Sequence, residues 1–254
     1  MNEDSKVAIA ARGTPEQISL MLKEPISRHV ERILIARPAR FIRHMIALSP
    51  HLSKEGIEQL IMHDDAEGRA FVAGRNDLSD EQTERLALDQ NETTLLSLAT
   101  KKNISDGTAR RLFENGNATV RTWMVRRENA PDDVLERALD DPAISVRRSL
   151  AGRKTLSDER RLILLLDDDT QVRLGAIGEA SVTGLRVALG DEYAEIRKEA
   201  EKRLDGEFFS AHERLLAFDD AVEALRSLPE KRLRKANRRI ELLSKLRSGA
   251  SPLR

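Results

Sequence analysis

The chain has 254 residues, 43 Lys or Arg against 43 Asp or Glu, no cysteine, 3% aromatic residues and 34% charged ones. That composition excludes disulfides, thiolate metal sites and cysteine nucleophiles, and it suits small aliphatic contacts between packed helices better than a compact enzyme. No stretch approaches the roughly 18 apolar residues of a membrane span, and Met1-Asn2-Glu3-Asp4 lacks the basic and apolar regions of a signal peptide, so a cytoplasmic protein is expected.

Along the chain, the first helix signal is Thr14-Pro15-Glu16-Gln17, which has capping-box spacing with proline at the first helical position. It predicts an imperfect repeat within residues 1–41. From Ile42 the sequence falls into register: Ile42-Arg43, Gly68-Arg69, Thr94-Leu95, Val120-Arg121, Val146-Arg147 and Val172-Arg173 follow one another in steps of 26. A fixed period of this size marks a solenoid.

Each repeat opens on an apolar stripe at helical spacing: Ile42, Ile46, Ala47; Val72, Ala73; Leu98, Ala99; Val120, Met124, Val125; Val146, Leu150, Ala151; Val172, Ala176, Ile177. The alanine column allows close approach of neighbouring helices. Leu52-Ser53, Leu78-Ser79, Ile104-Ser105 and Leu156-Ser157 then open a second helix, the serine accepting a hydrogen bond from an otherwise orphan backbone N–H. That helix is expected to bury Ile57, Leu60 and Ile61, or Leu86, or Leu112 and Phe113, or Leu135 and Leu139, or Leu164 and Leu165, before turns such as Asn115-Gly116-Asn117 and Asp140-Asp141-Pro142. Two such helices cannot bury their faces alone, so repeats must stack.

After residue 205 the pattern changes. Gly206 breaks it, Phe208 and Phe209 begin a helical stretch through Leu215, Leu216, Phe218, Val222 and Leu225, and Pro229 precedes a second helix with Leu233, Ala236, Ile240 and Leu243 on one stripe. Ser248 to Arg254 reads as disordered. Arg226 to Arg254 holds ten Lys or Arg against Glu230 and Glu241, so the rest of the chain is correspondingly acidic. The domain reading is a helical cap over 1–41, a solenoid over 42–205 and a C-terminal cap with a basic amphipathic helix over 206–254.

The recurring phrase Val-Arg, Leu-Ala, Leu-Ser-Asp-Glu, Leu, Asp-Asp, clearest from Val146 to Asp168, resembles the leucine-rich repeat variant class, a relative of the HEAT-like solenoids. The resemblance implies an all-α, right-handed α-solenoid, here of about six two-helix repeats, in which an α-helix alternates with a shorter and often 3₁₀ helix. Some members carry an iron–sulfur cluster on cysteines; this chain has none, and no cofactor is assigned.

Two basic columns run through the repeats. Arg43, Arg69, Arg121, Arg147 and Arg173, with Arg197 if the last repeat is two residues short, precede turns rich in Asp, and pairing of each aspartate with the next Val-Arg is expected over a phosphate-gripping ladder. Arg121 reads as the exception free to bind a ligand, since Asn115-Gly116-Asn117 supplies no Asp. Arg75, Lys101, Arg127 and Arg153 lie outside the apolar stripe and read as an exposed positive line. Trp123 and Phe71 share a border position, suited to closing the core edge or anchoring a partner.

The five histidines show no metal spacing, and no phosphate loop, catalytic triad or nucleotide fingerprint is present. These features point to a non-enzymatic scaffold or adaptor of bacterial type that binds a protein partner. The candidate contact residues are Arg75, Lys101, Arg121, Trp123, Arg127, Arg153, Arg234, Lys235 and Arg238. The alternative is a nucleic-acid-binding solenoid using the second basic column together with the C-terminal helix, and it requires the two to point the same way.

Overall fold

In the computed structural model, which describes residues 1–204 and 211–248, the 26-residue period of the sequence becomes a period of helix starts. First-layer helices α4 (Arg40–Ala47), α6 (Ala66–Ala73), α8 (Glu92–Ala99), α10 (Ala118–Arg126), α12 (Ile144–Ala151) and α14 (Thr170–Ile177) alternate with second-layer helices α5 (Lys54–Ile61), α7 (Asp80–Leu86), α9 (Asp106–Asn115), α11 (Asp132–Ala138), α13 (Asp158–Leu164) and α15 (Val182–Ala188). The last of these starts two residues early, as the Arg197 register requires. No strand occurs among the described residues. The fold is an all-α solenoid.

Before the array lie α1 (Glu3–Arg12), α2 (Pro15–Met21) and α3 (Arg28–Ile35). After it come α16 (Ala194–Leu204), α17 (Ala211–Arg226), a 3₁₀ turn at Glu230–Arg232 and α18 (Leu233–Arg247). Gly206, Phe208, Phe209 and residues 249–254 lie outside the described residues, as do the side chains of Leu215 and Leu216.

The chain divides into two compact units, Met1–Met124 and Val125–Arg254. In the N-terminal unit α4 packs on α6 and α6 on α8, while α3, α5, α7 and α9 stack in turn beside them. In the C-terminal unit α12, α14 and α16 form one such layer, and α13, α15 and α17 form the other. Every first-layer stripe residue named from the sequence is buried, as are the second-helix positions from Ile57 to Leu165, while on the C-terminal stripe Ala236 and Leu243 are buried and Leu233 and Ile240 half-buried. The small-residue column does what its size allows: a Cβ on Gly175 of α14 would sit 3.2 Å from the Ala151 Cβ of α12.

Local chemistry sets the boundaries. The hydroxyls of Ser53, Ser79, Ser105, Ser157 and Ser181 each accept from the backbone N–H three residues on, and Thr14 and Ser79 form complete capping boxes with Gln17 and Gln82. Because those starts are α-type and the ends close with bonds such as Met62 N–H to the Glu58 carbonyl and Leu165 N–H to that of Arg161, the second helix of each repeat is α. The resemblance left the type of this shorter helix open between α and 3₁₀; the 3₁₀ helix among the described residues is the turn before α18.

Candidate functional site

The first basic column turns inward. Arg43 pairs with Asp65 at 3.0 Å, Arg69 with Asp89 at 2.6 and 3.1 Å, Arg147 with Asp167 at 2.8 and 3.1 Å, and Arg173 with Asp191 at 3.0 and 3.2 Å. Nη1 of each also donates to a carbonyl of the turn before it: Arg37, His63, Asp141 and Asp167 respectively. Each arginine therefore staples the turn on either side of its own repeat.

The pairing runs opposite to the sequence expectation. Each aspartate belongs to the preceding arginine, 18 to 22 residues back, and not to the next Val-Arg. The reason is reach: the next arginine's Nη1 is spent on the backbone carbonyl of that same turn, leaving the carboxylate to the arginine at the repeat's other end. The acid missing at Asn115 thus goes with Leu95, which has no charge to satisfy, and Asn115 instead donates to the Ala87 carbonyl at 3.1 Å.

Arg121 is accordingly not the exception. It is half-buried, donates Nη1 to the Gly116 carbonyl at 2.9 Å as its homologues do, and its side chain has further partners. Arg197 does the same to the Asp191 carbonyl at 2.6 Å. The electrostatics follow. Burial pushes the Asp65 and Asp89 carboxyls up, but the Gly68 and Asn91 backbone N–H groups and the Arg43 and Arg69 guanidiniums outweigh it and hold both below the ordinary range. Their hydrogen bonds to Asp89 and Asp167 raise Arg69 and Arg147.

The second basic column is not an exposed line. Arg75 donates Nη1 to the Ala47 and Ser49 carbonyls at 2.6 and 2.8 Å and holds Asp77 through Nε and Nη2 at 2.8 and 2.6 Å. Lys101 donates to the Arg75 carbonyl, and Arg153 to those of Val125 and Arg127 at 2.5 and 2.6 Å. These side chains reach back one repeat and cap the C-terminus of the previous first-layer helix, where unpaired carbonyls and the negative end of the helix dipole favour a cation. Burial lowers Lys101, Arg127 and Arg153, as expected of cations withdrawn from water.

One repeat on, position 179 holds Glu179, the wrong charge. The buried Arg161 of α13 takes over the task, donating to the Ala151 carbonyl at 3.2 Å and the Arg153 carbonyl at 2.7 Å. Nothing in the repeat pattern announced Arg161, because it comes from the other helix; the signal available was the charge reversal at Glu179.

Exposed apolar side chains gather on one side of the N-terminal unit. The outward side of the first-layer helices in the N-terminal unit presents Phe41, Leu48, Phe71, Leu96 and Trp123, with Phe71 39% and Trp123 41% exposed. Phe71 also rests on His44, ring centroids 4.8 Å apart. Between successive helices lies a groove of about 630 Å³ lined by Leu48, Pro50, Ala70, Phe71, Arg75 and Ser97 among others. Sequence reasoning found Phe71 and Trp123 by their shared position but missed Phe41, Leu48 and Leu96, which occupy different positions of the repeat.

The C-terminal candidates lie elsewhere. Lys235 pairs with Asp168 at 2.7 Å and Arg238 with Glu192 at 2.7 Å, while Arg234 is exposed on α18. These contacts fall on the turns that follow second-layer helices, whereas Arg127 and Arg153 stand at the turns that follow first-layer helices. Within the C-terminal unit, α18 and the basic column are therefore at opposite helix ends, about 12 Å apart for an eight-residue helix.

The chain is similar to a solved protein described as a leucine-rich repeat variant with a novel repetitive protein structural motif. The two are 28% identical with a TM-score of 0.62, covering 80% of this chain and 82% of that one. A designed armadillo repeat protein in complex with the peptide (KR)4 aligns at 16% identity over 94% of this chain and 90% of that one, with a TM-score of 0.14, too low to carry an argument. No family model and no curated protein matches.

Proposed function

We propose that this helical-repeat chain is a non-enzymatic scaffold that holds a segment of a protein partner against the outward face of its N-terminal first-layer helices, with residues 1–41 and 206–254 serving as caps, in the cytoplasm. The observation that carries the reading is the row of exposed Phe41, Leu48, Phe71, Leu96 and Trp123 beside a groove. Aromatic side chains at a groove edge offer large contact area at small cost in conformational entropy.

The nucleic-acid alternative receives less support. Binding a phosphate backbone needs unspent cations on one continuous surface. Here every nitrogen of Arg75 already donates, the column caps helix ends, and within the C-terminal unit α18 lies at the helix ends opposite to Arg127 and Arg153.

A photo-crosslinking residue placed at Phe71 or Trp123, in nuclease-treated lysate, is expected to capture a protein that the same residue at Glu81, exposed on the second layer, does not. The protein so identified should lose at least tenfold in affinity for Phe71→Asp with the Tm of the chain little changed. Equal capture at Glu81, or undiminished binding by Phe71→Asp, would refute the proposal.

A further inference from the structure

One helix of this molecule is already a bound ligand in all but connectivity. The 3₁₀ turn Glu230–Arg232 and α18 lie across the turns that follow α11, α13 and α15: Arg232 of the turn pairs with Asp140 at 2.6 Å, and on α18 Lys235 pairs with Asp168 at 2.7 Å and the buried Arg239 with Asp191 at 2.8 Å. Between these ion pairs it covers apolar surface. Leu166 is only 6% exposed and shares a small cavity with Arg239 and Leu242, and Gly190 admits the helix so closely that a Cβ there would come within 2.8 Å of Leu243.

In the repeat register Leu166 and Gly190 have counterparts in the N-terminal unit. Counting back from Leu166 in steps of 26 gives Asp140, Glu114, Leu88 and Met62. Leu88 is 55% exposed and Met62 78% exposed. The acidic partners are repeated too: Asp64 stands at the register of Asp168 and Glu192 with its side chain exposed, and Glu114, also exposed, stands at that of Asp140. The turn face of the N-terminal unit thus carries apolar and acidic groups like those that hold α18 in the C-terminal unit, with no helix over them among the described residues.

We propose that this face docks a basic amphipathic helix of a partner protein, with aliphatic residues at three- and four-residue steps over Met62 and Leu88 and Lys or Arg reaching Asp64 and Glu114. Two observations carry it independently: the complementary charge, and the same positions closed by a helix of that chemistry in the other unit. The site is separate from the first-layer groove, so either can fail without the other.

The test uses the full chain and a fluorescent peptide of residues 229–248, with a scrambled peptide of the same composition as control. Saturable one-to-one binding is expected, at least tenfold weaker for Met62→Glu and Leu88→Glu, whose exposed positions leave the fold intact by circular dichroism, and absent for the scrambled peptide. No saturable binding, equal binding of the scrambled peptide, or affinity untouched by both substitutions would overturn the proposal. So would sedimentation showing a dimer that Met62→Glu dissolves, which would assign the docked helix to a second copy.

Discussion

The two units share one repeat yet end differently at their turns. In the C-terminal unit Leu166, Asp168 and Asp191 lie under or against α18 and Asp140 against the 3₁₀ turn before it, while in the N-terminal unit Met62, Leu88 and Asp64 face solvent. The arginine staples and carbonyl caps are common to both, so they belong to the scaffold, and what differs between the units is what is free to be recognised.

Removing a staple should have the largest effect, and an unequal one. Arg69→Ala leaves Asp89 with no cationic partner among those identified and should cost about 3–5 kcal/mol, at the lower end because the pair is partly wetted. Arg173→Ala should cost less, since Arg239 remains 2.8 Å from Asp191. Urea unfolding of both variants decides it, and equal losses would mean that α18 does not share the charge.

Next in size, Leu243→Ala should destabilise the chain by about 2–4 kcal/mol by emptying the contact above Gly190, and should expose α18 to limited proteolysis. A sharper contrast sets Leu166→Glu, expected to cost about 2 kcal/mol or more, against Met62→Glu at the same repeat position, expected within about 0.5 kcal/mol. If thermal unfolding shows the two substitutions to be equivalent, the cover over Leu166 is not energetically real.

Arg161→Leu should cost about 1–2 kcal/mol through the uncapped Ala151 and Arg153 carbonyls, and adding Glu179→Arg should restore part of it. The smallest effect is in pH. The Asp65 and Asp89 carboxyls titrate below their unfolded value of about 3.9, so their contribution is complete above that pH and is lost as pH falls through the depressed folded values. A Tm series from pH 5 to 2 should therefore fall chiefly below about pH 4. In Arg69→Met the Asp89 carboxyl loses the guanidinium that depresses it, so its share of that fall should shrink.

Much of the scaffold was legible in the chain. The interval fixed where each helix starts, the serines fixed how in five of the six second-layer helices, and the alternation of branched and small residues fixed which side is buried, because all three are local and recur from repeat to repeat. The candidate site was less so. Phe71 and Trp123 were visible because they share a position. Phe41, Leu48 and Leu96 were not, because a surface is assembled from different positions of adjacent repeats.

What the amino-acid order determined by itself was the period, the helix boundaries and the presence of two cationic columns matched by acidic turns. Only the tertiary structure decided which aspartate each arginine holds, that the second column caps carbonyls instead of facing water, and that α18 closes one row of turns. The physical reason is that a charged side chain settles on whichever oppositely polarised group lies within about 3 Å once the helices have stacked. Backbone carbonyls, which compete for that choice, carry no letter in the sequence.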